Sequence, residues 1–264
     1  MIPKVIHYCW FGHKPLPDEV LRCIVSWHRF CPDYEIKQWD ESNFDVTVHP
    51  YVKEAYNAKK WAFVTDYARL YILEREGGIY LDTDVELIAP LDPLLQHSCT
   101  FGEEIRGRVN TGVGFATESH QPAIQAMLSR YDDVHFSQGQ GIFDMTPCPV
   151  RNTAALVSLG YQKHDGLIPN IDCMVLPPEW MSPINPETGE ERTTVNTLSI
   201  HHFSGSWKND EEKKNYQIKK KLQKKFGNFG NLIYSAYAVT FQLKHKGMKV
   251  TWSQIMQKIN RKNH

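Results

Sequence analysis

The chain has 264 residues with 30 basic and 30 acidic side chains, so its formal net charge is zero. Apolar residues make up 41% and charged residues 23% of the sequence, which excludes a disordered chain and a collagen-like or disulfide-scaffold protein. The charge is unevenly divided, with 16 basic and 27 acidic residues in 1–207 and 14 basic and 3 acidic residues in 208–264. An acidic body of net charge −11, over which a nucleic-acid footprint is excluded, is therefore followed by a basic tail of net charge +11.

The six cysteines form no Cys-x-x-Cys pair, which favours reduced, packed thiols over a disulfide frame or a zinc finger. The start of the sequence, Met1–Lys4, lacks the features of a signal peptide. No run approaches the ~20 apolar residues that a membrane helix needs. We therefore predict a cytoplasmic protein that at most lies on the inner face of the cell membrane.

The predicted elements begin with a strand, a helix and a second strand. Residues 4–10 are β-prone, residues 18–30 place apolar side chains at helical spacing, and residues 34–39 alternate as a strand. This order predicts a right-handed βαβ unit on a parallel sheet.

A long helix is predicted over residues 60–76, because Gly77-Gly78 follows it as a stop signal. Residues 79–87 are predicted to continue as a strand. Further strands are predicted over Thr111–Ala116 and around Met174–Leu176.

The C-terminal third begins with a Pro- and Gly-rich segment, 177–192, which predicts a long loop. Residues 211–225 predict a Lys-rich helix, and residues 231–243 a largely apolar one. The tail is compatible with a solvated helix packed through its apolar side or with contact to an anionic membrane surface. No base-reading motif accompanies the charge, so nucleic acid is not a predicted partner. The side chains of the membrane interpretation are Lys213, Lys214, Lys219, Lys220, Lys221, Lys224, Lys225, Phe226 and Phe229.

The stretch between residues 66 and 86 carries the chemistry. Asp66 and Arg69 are spaced i, i+3 on the predicted helix and share one face. Asp82 and Asp84 are two residues apart on the predicted strand, so their carboxylates project from one face. Neighbouring carboxylates favour a divalent cation such as Mg²⁺ or Mn²⁺, because the cation removes their mutual repulsion. Tyr80 and Glu86 are predicted on that face, and the opposite, core-facing side is predicted to carry Ile79, Leu81, Val85 and Leu87.

Two stretches resemble a known family. Residues 2–10, Ile-Pro-Lys-Val-Ile-His-Tyr-Cys-Trp, are similar to the opening of glycosyltransferase family 32 enzymes, and Ala62 through Asp84 resembles their DXD sugar-binding block. The resemblance covers roughly residues 1–207. It implies an α/β, Rossmann-like GT-A domain with a single mixed sheet flanked by helices. A basic helical extension over residues 208–264 is predicted to follow this domain.

The resemblance also implies retaining, metal-dependent transfer of a hexose from a UDP- or GDP-linked donor. By this resemblance Asp82 and Asp84 hold Mn²⁺ or Mg²⁺ and the ribose or diphosphate of the donor. Asp66 and Arg69 hydrogen-bond the donor sugar and its phosphate. A metal and a guanidinium suit this reaction because negative charge develops on the departing diphosphate.

The stretch from His201 to Trp207 resembles the C-terminal block of the family. It implies His202 as a third metal ligand, since Mn²⁺ accepts imidazole, and makes His201 the weaker choice. It also implies that the Trp207 indole covers the donor or donates its N–H to a phosphate oxygen.

Further candidates flank these motifs. His7 and Trp10 lie where the first strand ends, so they are predicted to bind the nucleotide, with Trp10 stacking on the base; an aromatic core strand is the alternative. Glu103, Asn110 and Asp144 are candidate catalytic residues on the acceptor side. No residue is identified as a nucleophile.

The predicted function is transfer to a lipid-linked saccharide in the synthesis of a bacterial capsule or lipopolysaccharide. The bacterial assignment follows from the small size and the missing anchor, because eukaryotic members of the resembling family are usually anchored. The alternatives are a paired-aspartate metal phosphohydrolase and a non-catalytic carbohydrate- or nucleotide-binding module.

Overall fold

The computed structural model describes residues 1–164, 166–168 and 170–205, with ten further positions scattered between 214 and 237. Of these residues, 1–186 and 190–205 belong to one compact unit. Most of the predicted extension over 208–264, including much of both its helices, lies outside the described residues, so the extension and its boundary stay predictions.

The helices of the described residues are α1 Asp18–Phe30, α2 Pro50–Asn57, α3 Trp61–Glu76, α4 Pro122–Leu128, α5 Cys148–Ser158 and α6 Pro178–Met181. Their strands are β1 Val5–Cys9, β2 Glu35–Trp39, β3 Gly78–Tyr80, β4 Val85–Leu87, β5 Cys99–Ile105, β6 Arg108–Val109, β7 Phe115–Thr117, β8 Gly166–Ile168, β9 Cys173–Leu176 and β10 Ser199–His201. Within these residues no helix has the length and apolar character that crossing a membrane requires.

The main sheet is mixed. Its strands in the described residues run in the order β2-β1-β3-β7-β5-β9-β8, and β6 pairs with β5 beside this path. β1 pairs in parallel with β2 and β3, whereas β7 is antiparallel to both β3 and β5. The predicted α/β class with one mixed sheet flanked by helices is confirmed, as is the parallel β1-α1-β2 unit. A small ribbon of β4 and β10 was not predicted.

Sequence signals set the helix boundaries near the site. On α1, Val20, Cys23 and Trp27 recur at helical spacing and are buried, and β4 packs against this helix. Helix α3 ends at Glu76, and the following Gly77 has a φ of +66°, which favours glycine because a side chain is strained in that conformation. The chain therefore turns directly from α3 into β3.

The predicted strand over residues 79–87 is wrong in its middle. Strand β3 ends at Tyr80 and β4 begins at Val85, with a turn between them. The Val85 N–H donates to the Asp82 carbonyl at 3.0 Å and closes this turn. The break leaves the predicted sidedness intact, because one core cluster contains Ile79, Leu81, Val85 and Leu87. The predicted strand over Thr111–Ala116 is likewise shorter, since residues 110–114 form a loop and the strand occupies Phe115–Thr117.

All six cysteines are free and buried, in agreement with the prediction of packed thiols. The segment 177–192, predicted to be a loop throughout, instead begins with the short helix α6 and forms an antiparallel bridge between Ile184 and Glu191.

Candidate functional site

The site is built around the turn that carries Asp82 and Asp84. The Leu81 N–H donates to the His7 carbonyl at 3.1 Å, so β1 holds the chain up to the start of the turn. The Asp82 N–H then donates to the Gly112 carbonyl at 3.3 Å, which ties the turn to the loop before β7. Backbone bonds from β1 and from the Gly112 loop thereby hold the start of the turn, where Asp82 lies.

Helix α3 supplies the cation beside Asp82. Arg69 is 3% exposed, forms an ion pair with Asp66 one turn earlier and lies 3.3 Å from the Asp82 carboxylate. The predicted i, i+3 pairing of Asp66 and Arg69 is therefore present. Burial raises the pKa of Asp66, and the nearby guanidinium of Arg69 counteracts that effect.

Asp82 also accepts a hydrogen bond from the Tyr80 hydroxyl at 3.0 Å, which agrees with the predicted common side of these two residues. Its pKa is raised, first by burial and then by the like charge of Asp84, while Arg69 opposes both effects. The like charge of Asp84 makes further positive charge beside Asp82 favourable, in addition to that of Arg69.

Asp84 is held from the C-terminal side of the compact unit. Its carboxylate lies 3.1 Å from His201 Nε2 and accepts hydrogen bonds from the backbone N–H and hydroxyl of Ser204 at 2.8 and 3.0 Å. Burial opposes ionisation of Asp84, but His201 and Ser204 outweigh it and hold the pKa of this carboxyl well below its usual range. Ser204 was not among the predicted site residues.

The structure gives the two histidines different surroundings and favours His201, not the predicted His202, as the third metal ligand. His201 pairs with Val85 in the β4–β10 ribbon and is 5% exposed, with its ring against Asp84. His202 is exposed and its Nε2 lies 2.8 Å from Glu86. Successive residues along an extended chain face opposite sides. The register of β10 against β4 therefore decides which of the two histidines points inward.

One group in the described part of the chain has the makings of a metal site: Asp82, Asp84 and His201 each offer a ligand atom, and these atoms lie within 4.8 Å of one another. Two carboxylates and an imidazole suit Mn²⁺ and are acceptable to Mg²⁺. Burial disfavours charge on His201, but the two aspartates outweigh this and raise its pKa. The donor set therefore fits a divalent cation.

A loop between β6 and β7 forms the wall behind Asp82. The Asn110 Oδ1 accepts from the Gly112 N–H at 2.7 Å, and its Nδ2 donates to Glu104 at 2.8 Å. A Cβ on Gly112 would collide with Asp82 Oδ2 and would lie 2.9 Å from Arg69 Nη1. Asn110 is thus a member of the site.

Glu103 and Glu104 separate at the end of β5. The Glu103 carboxylate accepts from the Tyr161 hydroxyl and the Gly107 N–H, whereas Glu104 contacts Asn110. Adjacent strand residues face opposite sides, so one member of the pair can face the site. The catalytic role of Glu103 stays a prediction, and the structure places its neighbour Glu104 against Asn110 at that wall.

Asp144 is engaged elsewhere. Its Oδ1 accepts from the Thr146 N–H at 2.9 Å, and its Oδ2 forms an ion pair with Arg151 of α5. Although burial opposes ionisation, these two partners lower the pKa of Asp144. With both oxygens engaged, Asp144 stabilises the start of α5, which argues against its predicted catalytic role.

His7 and Trp10 have different surroundings. His7 is 1% exposed inside the sheet, and its Nδ1 accepts from the Trp39 indole at 3.0 Å. Its predicted contact with the nucleotide stays a prediction, and its burial favours the alternative of an aromatic core strand. Trp10 is half-buried with its indole N–H on the Lys14 carbonyl at 2.6 Å, and its stacking on a base stays a prediction. Trp207 lies outside the described residues, so its role stays a prediction as well.

The chain matches a family model described as "Glycosyltransferase sugar-binding region containing DXD motif" over residues 17–101. It is 37% identical over 100 residues to inositol phosphoceramide mannosyltransferase 3 of Schizosaccharomyces pombe, covering 36% of this chain and 28% of the relative. It is 28% identical over 158 residues to inositol phosphoceramide mannosyltransferase 1 of the same organism, covering 54% of this chain and 47% of the relative. The chain therefore spans less than half the length of these two relatives.

A solved structure of the PaToxG glycosyltransferase aligns with a TM-score of 0.49 and 18% sequence identity, covering 60% of this chain and 69% of that one. The matched family region ends before β10, so it contains both aspartates but neither histidine.

Proposed function

We propose that this chain transfers a hexose from a nucleotide sugar with retention of configuration. The match of residues 17–101 to a family model described as a glycosyltransferase sugar-binding region with a DXD motif supports this. The observation that carries the proposal is the convergence of Asp82, Asp84 and His201 beside the Arg69 guanidinium. A lone pair of aspartates would not specify this reaction, whereas a metal site next to a fixed guanidinium suits a diphosphate.

Asp82, Asp84 and His201 are the residues that would hold Mn²⁺ or Mg²⁺. The metal, when bound, would neutralise charge on the diphosphate as the bond to the hexose breaks. Arg69 supplies a second, permanent positive charge, and its pairing with Asp66 and Asp82 fixes its direction. Preorganised charges of this kind favour the departing diphosphate over the intact donor.

The acceptor is proposed to be lipid-linked. The two yeast relatives are named for an inositol phosphoceramide acceptor and for mannose transfer, which supports a lipid acceptor and a mannose donor. Neither name refers to a bacterial surface polysaccharide, so a role in capsule or lipopolysaccharide synthesis stays a prediction. The choice between UDP and GDP, the cytoplasmic location and the membrane contact of the basic tail stay predictions too.

The test is a transfer assay with UDP- and GDP-hexoses, Mn²⁺ and a glycolipid acceptor, read by mass spectrometry. We expect Asp84→Ala to abolish transfer, because it removes a metal ligand, while circular dichroism shows an unchanged fold. Glu86→Ala is the matched control, since this carboxylate is two residues further along the chain and pairs with the exposed His202.

Full transfer by Asp84→Ala, or by the unchanged protein in excess chelator, would overturn the metal mechanism. Release of phosphate from simple esters without any acceptor would instead favour a phosphohydrolase. Saccharide or nucleotide binding that persists without metal and without turnover would favour a binding module.

A further inference from the structure

A buried acid lies directly behind the wall of the candidate site. Glu104 is 7% exposed at the end of β5. Its Oε1 pairs with Arg108 Nε at 2.5 Å, and its Oε2 accepts from Asn110 Nδ2 at 2.8 Å. An ionised carboxylate accepts hydrogen bonds and cannot donate them, so both neighbours must turn a donor group toward Glu104.

Asn110 stands between this acceptor and two donors. Its Oδ1 receives the Gly112 N–H at 2.7 Å and the Cys148 thiol at 3.6 Å, while its Nδ2 faces Glu104. Turning the amide over would bring its NH₂ against the two donors and its oxygen against the carboxylate. The Glu104 charge therefore specifies one orientation of the Asn110 amide.

The orientation of Asn110 is transmitted to the candidate metal ligand through Gly112. The Gly112 carbonyl accepts from the Asp82 N–H at 3.3 Å, and the glycine Cα is packed so closely that a Cβ would collide with Asp82 Oδ2. A shift of the loop would thus displace the Asp82 carboxylate and the Arg69 guanidinium beside it, since a Cβ on Gly112 would also lie 2.9 Å from Arg69 Nη1.

We propose that Glu104 is a positioning residue for the transfer reaction, acting through Asn110 and Gly112 to fix Asp82 and Arg69. The expected effect on transfer rests on the proposed glycosyltransferase function. The contacts of Glu104, Asn110 and Gly112 rest on hydrogen bonds of the described residues alone. Supporting residues of this kind cost about 10- to 100-fold in activity or metal affinity when they are changed.

The test exchanges the donor and acceptor roles of the pair. In Glu104→Gln, the new amide keeps its oxygen on Arg108 and turns its NH₂ toward Asn110, which must then flip away from Gly112. In Asn110→Asp, two carboxylates face each other. In the double variant Glu104→Gln with Asn110→Asp, the new amide donates to the new carboxylate, whose other oxygen receives the Gly112 N–H. The pair then carries one negative charge, as it does in the unchanged protein.

We expect each single variant to lose about 10- to 100-fold in kcat, and the double variant to recover most of that loss. Hydrogen exchange of residues 110–114 should be faster in both single variants and return to its original rate in the double variant. Glu179→Gln is the matched control, because it weakens an ion pair with Arg106 in the β5–β6 turn without touching Asn110.

The two readouts separate failure of this inference from failure of the proposed function. If the unchanged protein transfers no hexose, the proposed function fails, and the hydrogen-exchange pattern still decides whether Glu104 positions the loop. Unchanged kcat and unchanged exchange in Glu104→Gln would overturn the inference. A double variant no better than the single ones, or losses equal to those of Glu179→Gln, would also overturn it, because a general loss of stability would then explain the data.

Discussion

At the scale of single residues, the environment of a side chain outweighs its type. Two neighbouring histidines follow Ile200, yet His201 is buried against Asp84 and His202 is exposed beside Glu86. Asp84 has a lowered pKa and Asp82 a raised one, although only Thr83 separates them. Hydrogen bonds and burial cause these differences, so each residue can be tested separately.

The two histidines should behave differently when they are replaced. We expect His201→Ala to weaken Mn²⁺ binding by at least about tenfold, because an inward-facing ligand is lost. His202→Ala should bind Mn²⁺ normally, since its ring pairs with an exposed carboxylate. Isothermal titration of both variants with Mn²⁺ measures the difference, and an unchanged affinity in His201→Ala would show that the inward histidine is not a ligand.

His7 should make stability depend on pH. Burial lowers the pKa of His7 from 6.5 to about 4 in the folded protein. The unfolded chain therefore takes up a proton first as the pH falls, and stability is lost between about pH 6.5 and 4, by up to ~3 kcal/mol. Urea unfolding at a series of pH values measures this loss.

The control for this pH effect is a comparison of two substitutions. His7→Gln keeps an acceptor for the Trp39 indole and should show a smaller change of unfolding free energy over the same pH interval. His28→Gln, at an exposed position on α1, should keep the full change. A pH dependence that is identical in His7→Gln and in the unchanged protein would contradict the assignment.

At the scale of elements, the candidate site depends on how α1 holds β4. The Trp27 indole donates to the Val85 carbonyl at 2.7 Å, and the Leu87 N–H donates to the Ser26 hydroxyl at 2.9 Å. Strand β4 has β10 as its sheet partner, so these side chains supply the bonds on its other side. The helix thereby fixes the strand that begins directly after Asp84.

Replacing Ser26 should therefore lower the free energy of unfolding by more than the loss of a small exposed side chain would. Ser26→Ala leaves the Leu87 N–H buried without this partner, which costs about 1–3 kcal/mol in the free energy of unfolding. Val25→Ala, at the neighbouring exposed position of α1, should change it by less than ~0.5 kcal/mol. Denaturant unfolding compares the two, and a loss for Ser26→Ala as small as that for Val25→Ala would show that α1 does not secure the strand.

At the scale of the whole molecule, the candidate metal site joins distant parts of the chain. Asp82 and Asp84 lie between the two short strands β3 and β4, whereas His201 ends β10 more than a hundred residues later. A cation held by all three would be a cross-link that exists in the folded protein and is absent from the unfolded chain. Binding should consequently stabilise the compact unit against unfolding.

Mn²⁺ should accordingly raise the melting temperature. At a concentration 100-fold above its Kd, the stabilisation is about 2.7 kcal/mol, which corresponds to a rise of at least ~5 °C for a unit of this size. Asp84→Asn should remove the rise, Glu86→Gln should keep it, and a chelator should reverse it. Differential scanning fluorimetry measures all four conditions, and an equal rise in Asp84→Asn would place the metal elsewhere.

Much of the local structure follows from local signals. The amphipathic spacing of residues 18–30 and the Gly77-Gly78 stop correctly predict α1 and the end of α3, because helical periodicity and glycine conformation act over a few residues. The strand over 79–87 fails for a different reason. The Asp82-Thr83-Asp84 turn has one local bond, from the Val85 N–H to the Asp82 carbonyl. It is held in place by further bonds to the distant Gly112 and His202, and nothing within the stretch itself encodes those partners.

The sequence alone determined the composition of the site: an Asp–Arg helix, a paired-aspartate segment and a C-terminal histidine pair, together with the α/β class. The tertiary structure decided which atoms meet. Pairing of β4 with β10 turned His201 rather than His202 toward Asp84, and strand alternation put Glu104 rather than Glu103 behind Asn110. The physical reason is that a strand presents opposite faces at successive residues, so a register fixed by distant partners decides between neighbours that a sequence motif cannot distinguish.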